Sequence, residues 1–291
     1  MPSLKPGDTL PGFRIEEFVG AGATSEVYRA TSLASATPAA IKLLHPAWQS
    51  VTAVRARFEK EGQVLLNLQH PHLIRALSVG SAPDELPFLA LEWAPNDLRK
   101  QLETSRGGVP ILVALRLIGQ VADALCMLHT YGLIHRDLKP ANILLTSLNL
   151  QDAHAKLADL GLIKHLPGTH TDSPTALSLS RVSTARGTRL GTWEYMAPEL
   201  WIDAKNAYPK SDVYGLGCLL FHLVTGQPPY TVADEHALMF HHCFEPPPLD
   251  ALSTLCPGRL VDLIAAMIAK KTDDRPLMID VHCELTRVML R

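Results

Sequence analysis

Aromatic residues make up only 6% of the 291 positions and charged residues only 19%, with neither sign in excess. Lys and Arg total 27 against 29 Asp and Glu, a formal charge of -2, so the chain is not built to coat nucleic acid or an anionic membrane. Cysteines are few and odd in number. Cys126, Cys218, Cys243, Cys256 and Cys283 show no CxxC spacing, which argues against a disulfide framework and for a reducing compartment. His241-His242-Cys243 and His282-Cys283 lack the paired spacing of a zinc site and read as ordinary helix residues. The stretch from Met1 to Leu10 has no apolar core and does not read as a signal peptide. The most apolar long run, Ile111 to Ile134, is broken by Arg116, Gln120, Asp123 and His129, so a buried amphipathic helix is expected there rather than a membrane segment. These absences lead to the expectation of a cytoplasmic protein.

What the chain has is core-forming residues. At 47% hydrophobic, with 18 Gly and 22 Pro, it is too apolar for disorder and too poor in Gly and Pro for low complexity. A chain of this length buries roughly 75% of its extended surface. Up to Trp93 the patterns are mainly those of strands. Phe13 to Val19, Glu26 to Ala30, Pro38 to Leu44 and Phe88 to Trp93 are short apolar or alternating runs set off by Gly, Ser and Pro. Val54, Phe58, Val64, Leu65 and Leu68 recur at helical spacing between them. After Pro95-Asn96-Asp97 the pattern turns helical, with helices expected over Ile111 to Leu128, Val213 to Val224, Leu260 to Ile268 and Met278 to Val288. A small strand-rich lobe followed by a larger helical one makes an α+β chain with a ligand cleft expected between them.

Three local constellations carry chemistry. In Gly20-Ala21-Gly22-Ala23-Thr24-Ser25-Glu26-Val27, two glycines let backbone N–H groups approach an anion. A dinucleotide-binding fold would send this loop into a helix. Here Val27, Tyr28 and Arg29 continue as a strand, so the loop is a hairpin lid, and no Gly-Lys-Ser/Thr follows as a Walker A loop would require. Lys42, read as the end of the strand Ala39-Ala40-Ile41, is placed to neutralise phosphate oxygens, with Glu61 on the next helix as its partner. The third constellation is His135-Arg136-Asp137-Leu138-Lys139-Pro140-Ala141-Asn142, followed by Asp159-Leu160-Gly161. Its oxygen donors suit magnesium. Asp159 and Asn142 would hold the metal, while Asp137 would accept or orient a hydroxyl proton. Asp and Asn also cap helices and turns, but capping does not account for this order of residues behind a glycine hairpin and a strand lysine.

In that order the sequence resembles the bacterial-type, eukaryotic-like Ser/Thr protein kinases. The resemblance runs from about Phe13 to Arg291 and extends to Ala197-Pro198-Glu199, Ser211-Asp212-Val213-Tyr214-Gly215-Leu216-Gly217 and Arg275. It implies a bilobal fold, with a lead-in over 1–12, a small antiparallel sheet lobe with one helix over about 13–94, and a helical lobe over about 95–291. ATP would lie between the lobes. By position, the resemblance gives Lys42 the α- and β-phosphates with Glu61 as its ion-pair partner, and Asp137 the role of base. Lys139 would take the γ-phosphate, and Thr192 would hold the substrate hydroxyl. Asn142 and Asp159 would bind Mg²⁺, for which Mn²⁺ could substitute. Gly20, Ala21, Gly22, Ser25 and Val27 would cover the phosphates. Ala40, Glu92 and Ala94 would line the adenine site, the last two through backbone groups, and Asp97 would reach the ribose. Glu199 and Arg275 would form a buried ion pair, and Asp212 would anchor the backbone of the catalytic loop. The implied partners are ATP and protein Ser or Thr side chains, and the family's habits leave room for a dimer of kinase domains.

Two residues depart from the family pattern. Ser25 replaces the third glycine and Leu160 the usual Phe, and neither change removes a catalytic group. The activation segment, 159–199, has a Ser/Thr-rich middle in which Ser183, Thr184 and Thr188 are expected autophosphorylation sites, a phosphate there docking on Arg136. Two other readings compete. A kinase-shaped binding module is disfavoured by the intact catalytic set. A small-molecule phosphotransferase of the antibiotic-kinase type is disfavoured by Ala197-Pro198-Glu199 together with Asp212 and Arg275.

Overall fold

The computed structural model describes residues 2–105, 107–160, 164–165, 193–203 and 206–290. Among them the chain divides into two compact units, one ending at Ala94 and the other beginning at Pro95. The first holds Thr9–Leu10 (β1), Phe13–Ala21 (β2), Ser25–Ser32 (β3), Pro38–Leu44 (β4), Ala76–Ser81 (β5) and Pro87–Glu92 (β6). They form one antiparallel sheet in the order β1-β2-β3-β4-β6-β5. Strand alternation puts Ile15, Tyr28, Ala30, Ala39, Ile41, Leu43, Phe88 and Ala90 into one buried cluster. Leu4 and Leu10, from the stretch set apart as a lead-in, belong to the same cluster.

Two details of this unit differ from the sequence reading. Lys42 does not end its strand, because β4 runs on through the buried Leu43 and Leu44. Strand β5, Ala-Leu-Ser-Val-Gly-Ser, has little β-propensity of its own and went unread. It forms as the edge partner of β6, and Gly80 lets it do so: a Cβ there would lie 2.7 Å from the Phe88 ring. Thr52–Asn67 (α1) packs on β5 and β6 and buries Val54, Phe58, Gly62 and Leu65. Glu61 lies on that buried face as well, whereas Val64, expected there, is half-buried.

The second unit is mainly helical: Leu98–Thr104 (α2), Ile111–Thr130 (α3), Pro198–Ile202 (α4), Pro209–Thr225 (α5), Glu235–Phe244 (α6), Asp250–Ser253 (α7), Gly258–Met267 (α8) and Met278–Met289 (α9). Short strands Asn96–Asp97 (β7), Ile143–Leu145 (β9) and Ala155–Leu157 (β10) make a small sheet, and Leu133–Ile134 (β8) pairs with Lys164–His165 (β11). By length and composition α3 could cross a membrane, with a mean hydropathy of 1.9, but Leu115, Ile118, Val121, Leu125 and Leu128 are buried and it packs on α5 and α9. Helix α5 is buried nearly all round, as its sequence leads one to expect. Its two interior glycines are there for close approach. A Cβ on Gly217 would lie 2.8 Å from Met267 Cβ, and one on Gly215 would lie 3.1 Å from Leu138 Cβ. A sheet unit and a helical unit make the α+β protein-kinase-like fold that the sequence leads one to expect.

Candidate active site

In the sheet unit, β2 and β3 pair Gly20 with Val27 and Ala21 with Glu26, leaving Gly22-Ala23-Thr24 as the hairpin end. Gly22 N–H closes that turn on the Ser25 carbonyl at 2.8 Å. Val27 pairs with Lys42 on β4, and Ala40 pairs with Leu91 on β6. The Lys42 ammonium donates to both carboxylate oxygens of Glu61, at 2.7 and 2.9 Å, and Glu61 is almost completely buried. Taking a carboxylate out of water is costly unless a cation meets it, and Lys42 supplies that charge. At the end of β6 the Glu92 N–H donates to the Arg75 carbonyl, and Glu92 Oε1 accepts from Arg75 N–H, both at 2.9 Å. Ala94 is the last residue of this unit.

In the helical unit, α3 and β8 lead into the segment His135 to Asn142. Asp137 Oδ2 accepts from Lys139 Nζ at 2.6 Å and from Asn142 Nδ2 at 3.0 Å. Asn142 Nδ2 also donates to the Asp137 carbonyl at 2.8 Å, so the amide nitrogen faces Asp137 and Oδ1 is turned the other way. The antiparallel β9–β10 pair matches Ile143 with Leu157. Ala158 N–H then donates to the Asn142 carbonyl at 2.9 Å, which brings the next residue, Asp159, beside Asn142. Asp159 has φ +65, a left-handed backbone uncommon for a residue other than glycine.

His135 ties the segment to Ala158. It is fully buried; its Nδ1 accepts Asp137 N–H at 3.3 Å, which leaves Nε2 to donate to the Ala158 carbonyl at 3.1 Å. Asp212, near the start of α5, accepts the N–H groups of His135 and Arg136 at 3.0 and 2.8 Å. Burial would raise the Asp212 carboxyl, but the His129 hydrogen bond at 2.8 Å, nearby imidazole charge and the Arg136 N–H together hold it below its ordinary value. Glu199 and Arg275 meet in a two-pronged pair at 2.8 and 2.9 Å. A small cavity is lined by Arg136, Asp137, Tyr195, Met196, Ala197 and Asp212 among others.

Asp97, given to a ribose, is the N-cap of α2: its Oδ1 accepts Lys100 N–H at 3.0 Å. His242 is packed inside, its Nδ1 2.8 Å from the Tyr214 hydroxyl, and Cys243 Sγ lies 3.8 Å from the Pro198 carbonyl. Thr192, Ser183, Thr184 and Thr188 lie outside the described residues. His129 and Trp48 carry no local motif in the sequence; hydrogen bonds spanning 83 and 25 positions tie them to Asp212 and to the Ala23 carbonyl.

A buried lysine–carboxylate pair beside a glycine hairpin, and an Asp-Lys-Asn cluster beside a second aspartate, define a phosphotransferase class. Residues 13–284 match the protein kinase domain family, and the chain belongs to it. It is similar to serine/threonine-protein kinase PknH of Mycobacterium bovis, 28% identical over 270 residues, which cover 92% of this chain and 42% of that protein. It is also similar to PknJ of the same species, 32% identical over 273 residues and covering 91% and 42%, and to PknD of Mycobacterium tuberculosis, 29% identical over 272 residues and covering 93% and 38%. The chain thus spans about two fifths of the length of these relatives. ATP and a divalent metal are the co-substrate and cofactor general to the family.

Proposed function

We propose that the chain transfers the γ-phosphoryl group of ATP to Ser and Thr hydroxyls of proteins. The observation that carries this reading is the double engagement of Asp137 Oδ2 by Lys139 and Asn142. That geometry holds one carboxylate as an acceptor for a hydroxyl proton and sets a cation two residues away for the transferring phosphoryl group. The new bond joins the substrate oxygen to γ-phosphorus, the bond to the β-phosphate oxygen breaks, ADP leaves, and the hydroxyl proton passes to Asp137. Lys42, fixed by Glu61, neutralises the remaining phosphates. The side-chain oxygens of Asp159 and Asn142 fit Mg²⁺, a hard cation that accepts few protein ligands and keeps several waters, and Mn²⁺ would fit the same donors. Bound there, the ion would supply charge neutralisation at the phosphates. Thr192 would hold the acceptor hydroxyl, and Ser183, Thr184 and Thr188 would accept phosphate from the chain itself.

The test is transfer of label from γ-labelled ATP to a generic Ser/Thr-containing protein by the purified chain, with Asp159→Asn and Lys42→Ala alongside. Label on Ser and Thr with the native chain, and none with either variant, is the expected result. Undiminished labelling by folded Asp159→Asn would remove the metal assignment, and an inactive native chain would favour the binding-module reading.

A further inference from the structure

The end of the glycine hairpin is gripped from outside. Beyond Ala21 the chain leaves the ladder for Gly22-Ala23-Thr24 and rejoins it at Ser25. Unpaired and opened by Gly22, such a stretch leaves its peptide planes free to rotate. Here the connection between β4 and α1 restrains them. His45 N–H donates to the Thr24 carbonyl at 2.9 Å, and the Trp48 indole Nε1–H donates to the Ala23 carbonyl at 2.8 Å. Trp48 is itself held in place: it closes the single turn Pro46–Trp48, with Trp48 N–H on the His45 carbonyl at 2.9 Å and Ala47 N–H on His45 Nδ1 at 3.2 Å. Proline at the first position of that turn fixes its entry.

The consequence follows from peptide geometry. In a trans peptide the C=O of one residue and the N–H of the next point in opposite directions. With its carbonyl held by the indole, the Ala23–Thr24 plane aims Thr24 N–H away from Trp48. With its carbonyl held by His45, the Thr24–Ser25 plane aims Ser25 N–H away from β4. Backbone N–H groups fixed in direction are what a hairpin offers to phosphate oxygens.

We propose that Trp48 is a positioning residue for the nucleotide's phosphates, acting through the Ala23 carbonyl; this rests on the ATP reading above. It orients the hairpin amides before the nucleotide arrives, so its contribution falls on the phosphates and not on the base or sugar. Trp48→Phe keeps an aromatic ring and deletes the donor, and Trp48→Leu serves the same purpose should the Phe variant fold poorly. Binding of Mg·ATP and of adenosine to the full chain is measured by calorimetry, with the thermal midpoint of the nucleotide-free proteins as a control. The expected result is a loss of roughly 2–10-fold in ATP affinity, the span of one hydrogen bond, with adenosine affinity unchanged. Equal losses for ATP and adenosine would make the indole a general structural prop, and unchanged ATP affinity would make the contact idle; either overturns the proposal. Failure of the native chain to bind ATP would overturn the ATP reading itself, and this inference with it.

Discussion

Asp212 holds the peptide N–H groups of both His135 and Arg136, one on each carboxylate oxygen. Arg136 has φ +72, and a non-glycine residue keeps such a backbone only where its surroundings impose it. The carboxylate of a buried helix thus bends the segment that delivers Asp137. Asp212→Asn replaces one acceptor with an NH₂ group facing an N–H donor. Stability should fall by about 3–5 kcal/mol, the scale for disrupting a buried charged network. Phosphoryl transfer by the remaining folded protein should fall with it. Urea unfolding and initial-rate assays check both, and a loss under about 1 kcal/mol would mean that the bend is held by other groups.

That relationship also shows what the sequence could and could not tell. Strands β4 and β6 were legible because their apolar residues alternate or run without interruption between turn signals. Strand β5 was not, because its partner Phe88, rather than its own residues, makes it a strand. Lys42 and Glu61 could be paired by motif order, but nothing local says that Glu61 replaces an apolar residue on the buried face of α1. Asp97 is ambiguous for a related reason: a carboxylate before a helix serves as a cap or a ligand with the same letter, and nothing in Leu98–Thr104 announces the helix it caps. His129 and Asp212 lie 83 positions apart, and no periodicity links them.

The glycines of α5 separate stability from catalysis. An alanine at 217 would meet Met267 Cβ at 2.8 Å and Ile268 Cγ2 at 2.7 Å, so α8 or α5 has to shift. Gly217→Ala should destabilise by about 1–3 kcal/mol, reduced by up to about 1 kcal/mol from the better helix propensity of alanine, and leave kcat of the folded protein unchanged. At 215 the neighbours are Leu138 Cβ at 3.1 Å and the Tyr195 carbonyl at 3.3 Å, a milder crowding next to Asp137. Gly215→Ala should therefore lower kcat more than stability. The reverse ranking in paired unfolding and rate measurements would contradict this packing argument.

Residues ahead of Phe13 are part of the sheet unit's core. Ser3 N–H donates to Glu26 Oε2 at 3.0 Å and Leu4 N–H to the Tyr28 hydroxyl at 3.1 Å, while the Leu4 side chain is 9% exposed. Tyr28 in turn donates to Glu26, so the start of β3 is a hub that the N-terminal residues complete. Burial raises the Tyr28 phenol to about 12, which keeps it a donor across the working pH range. Removing residues 2–4 should lower stability by about 3–6 kcal/mol, one buried leucine plus two hydrogen bonds, read as a shift in the urea midpoint at constant slope. A midpoint that does not move would make this segment a passive extension.

Glu194 gives the helical unit a pH dependence of defined sign. Burial raises its carboxyl from 4.5 to about 7. The folded state therefore binds the proton more tightly than the unfolded one. Its stabilising contribution is complete below about pH 4.5 and is lost as pH rises through about 7. On the other side of Tyr195, whose hydroxyl lies 2.7 Å from His222 Nδ1, burial lowers the His222 imidazole from 6.5 to about 4. That group acts in the opposite sense, contributing above pH 6.5 and losing its contribution as pH falls toward 4. Glu194→Gln removes the first dependence and keeps the second. Near pH 5 the variant and the native chain should be about equally stable, and by pH 8 the variant should be the more stable, because it has no carboxyl to ionise out of contact with water. A series of urea titrations across that range provides the comparison; parallel curves for the two proteins would show that Glu194 is ionised throughout and that its surroundings are wet.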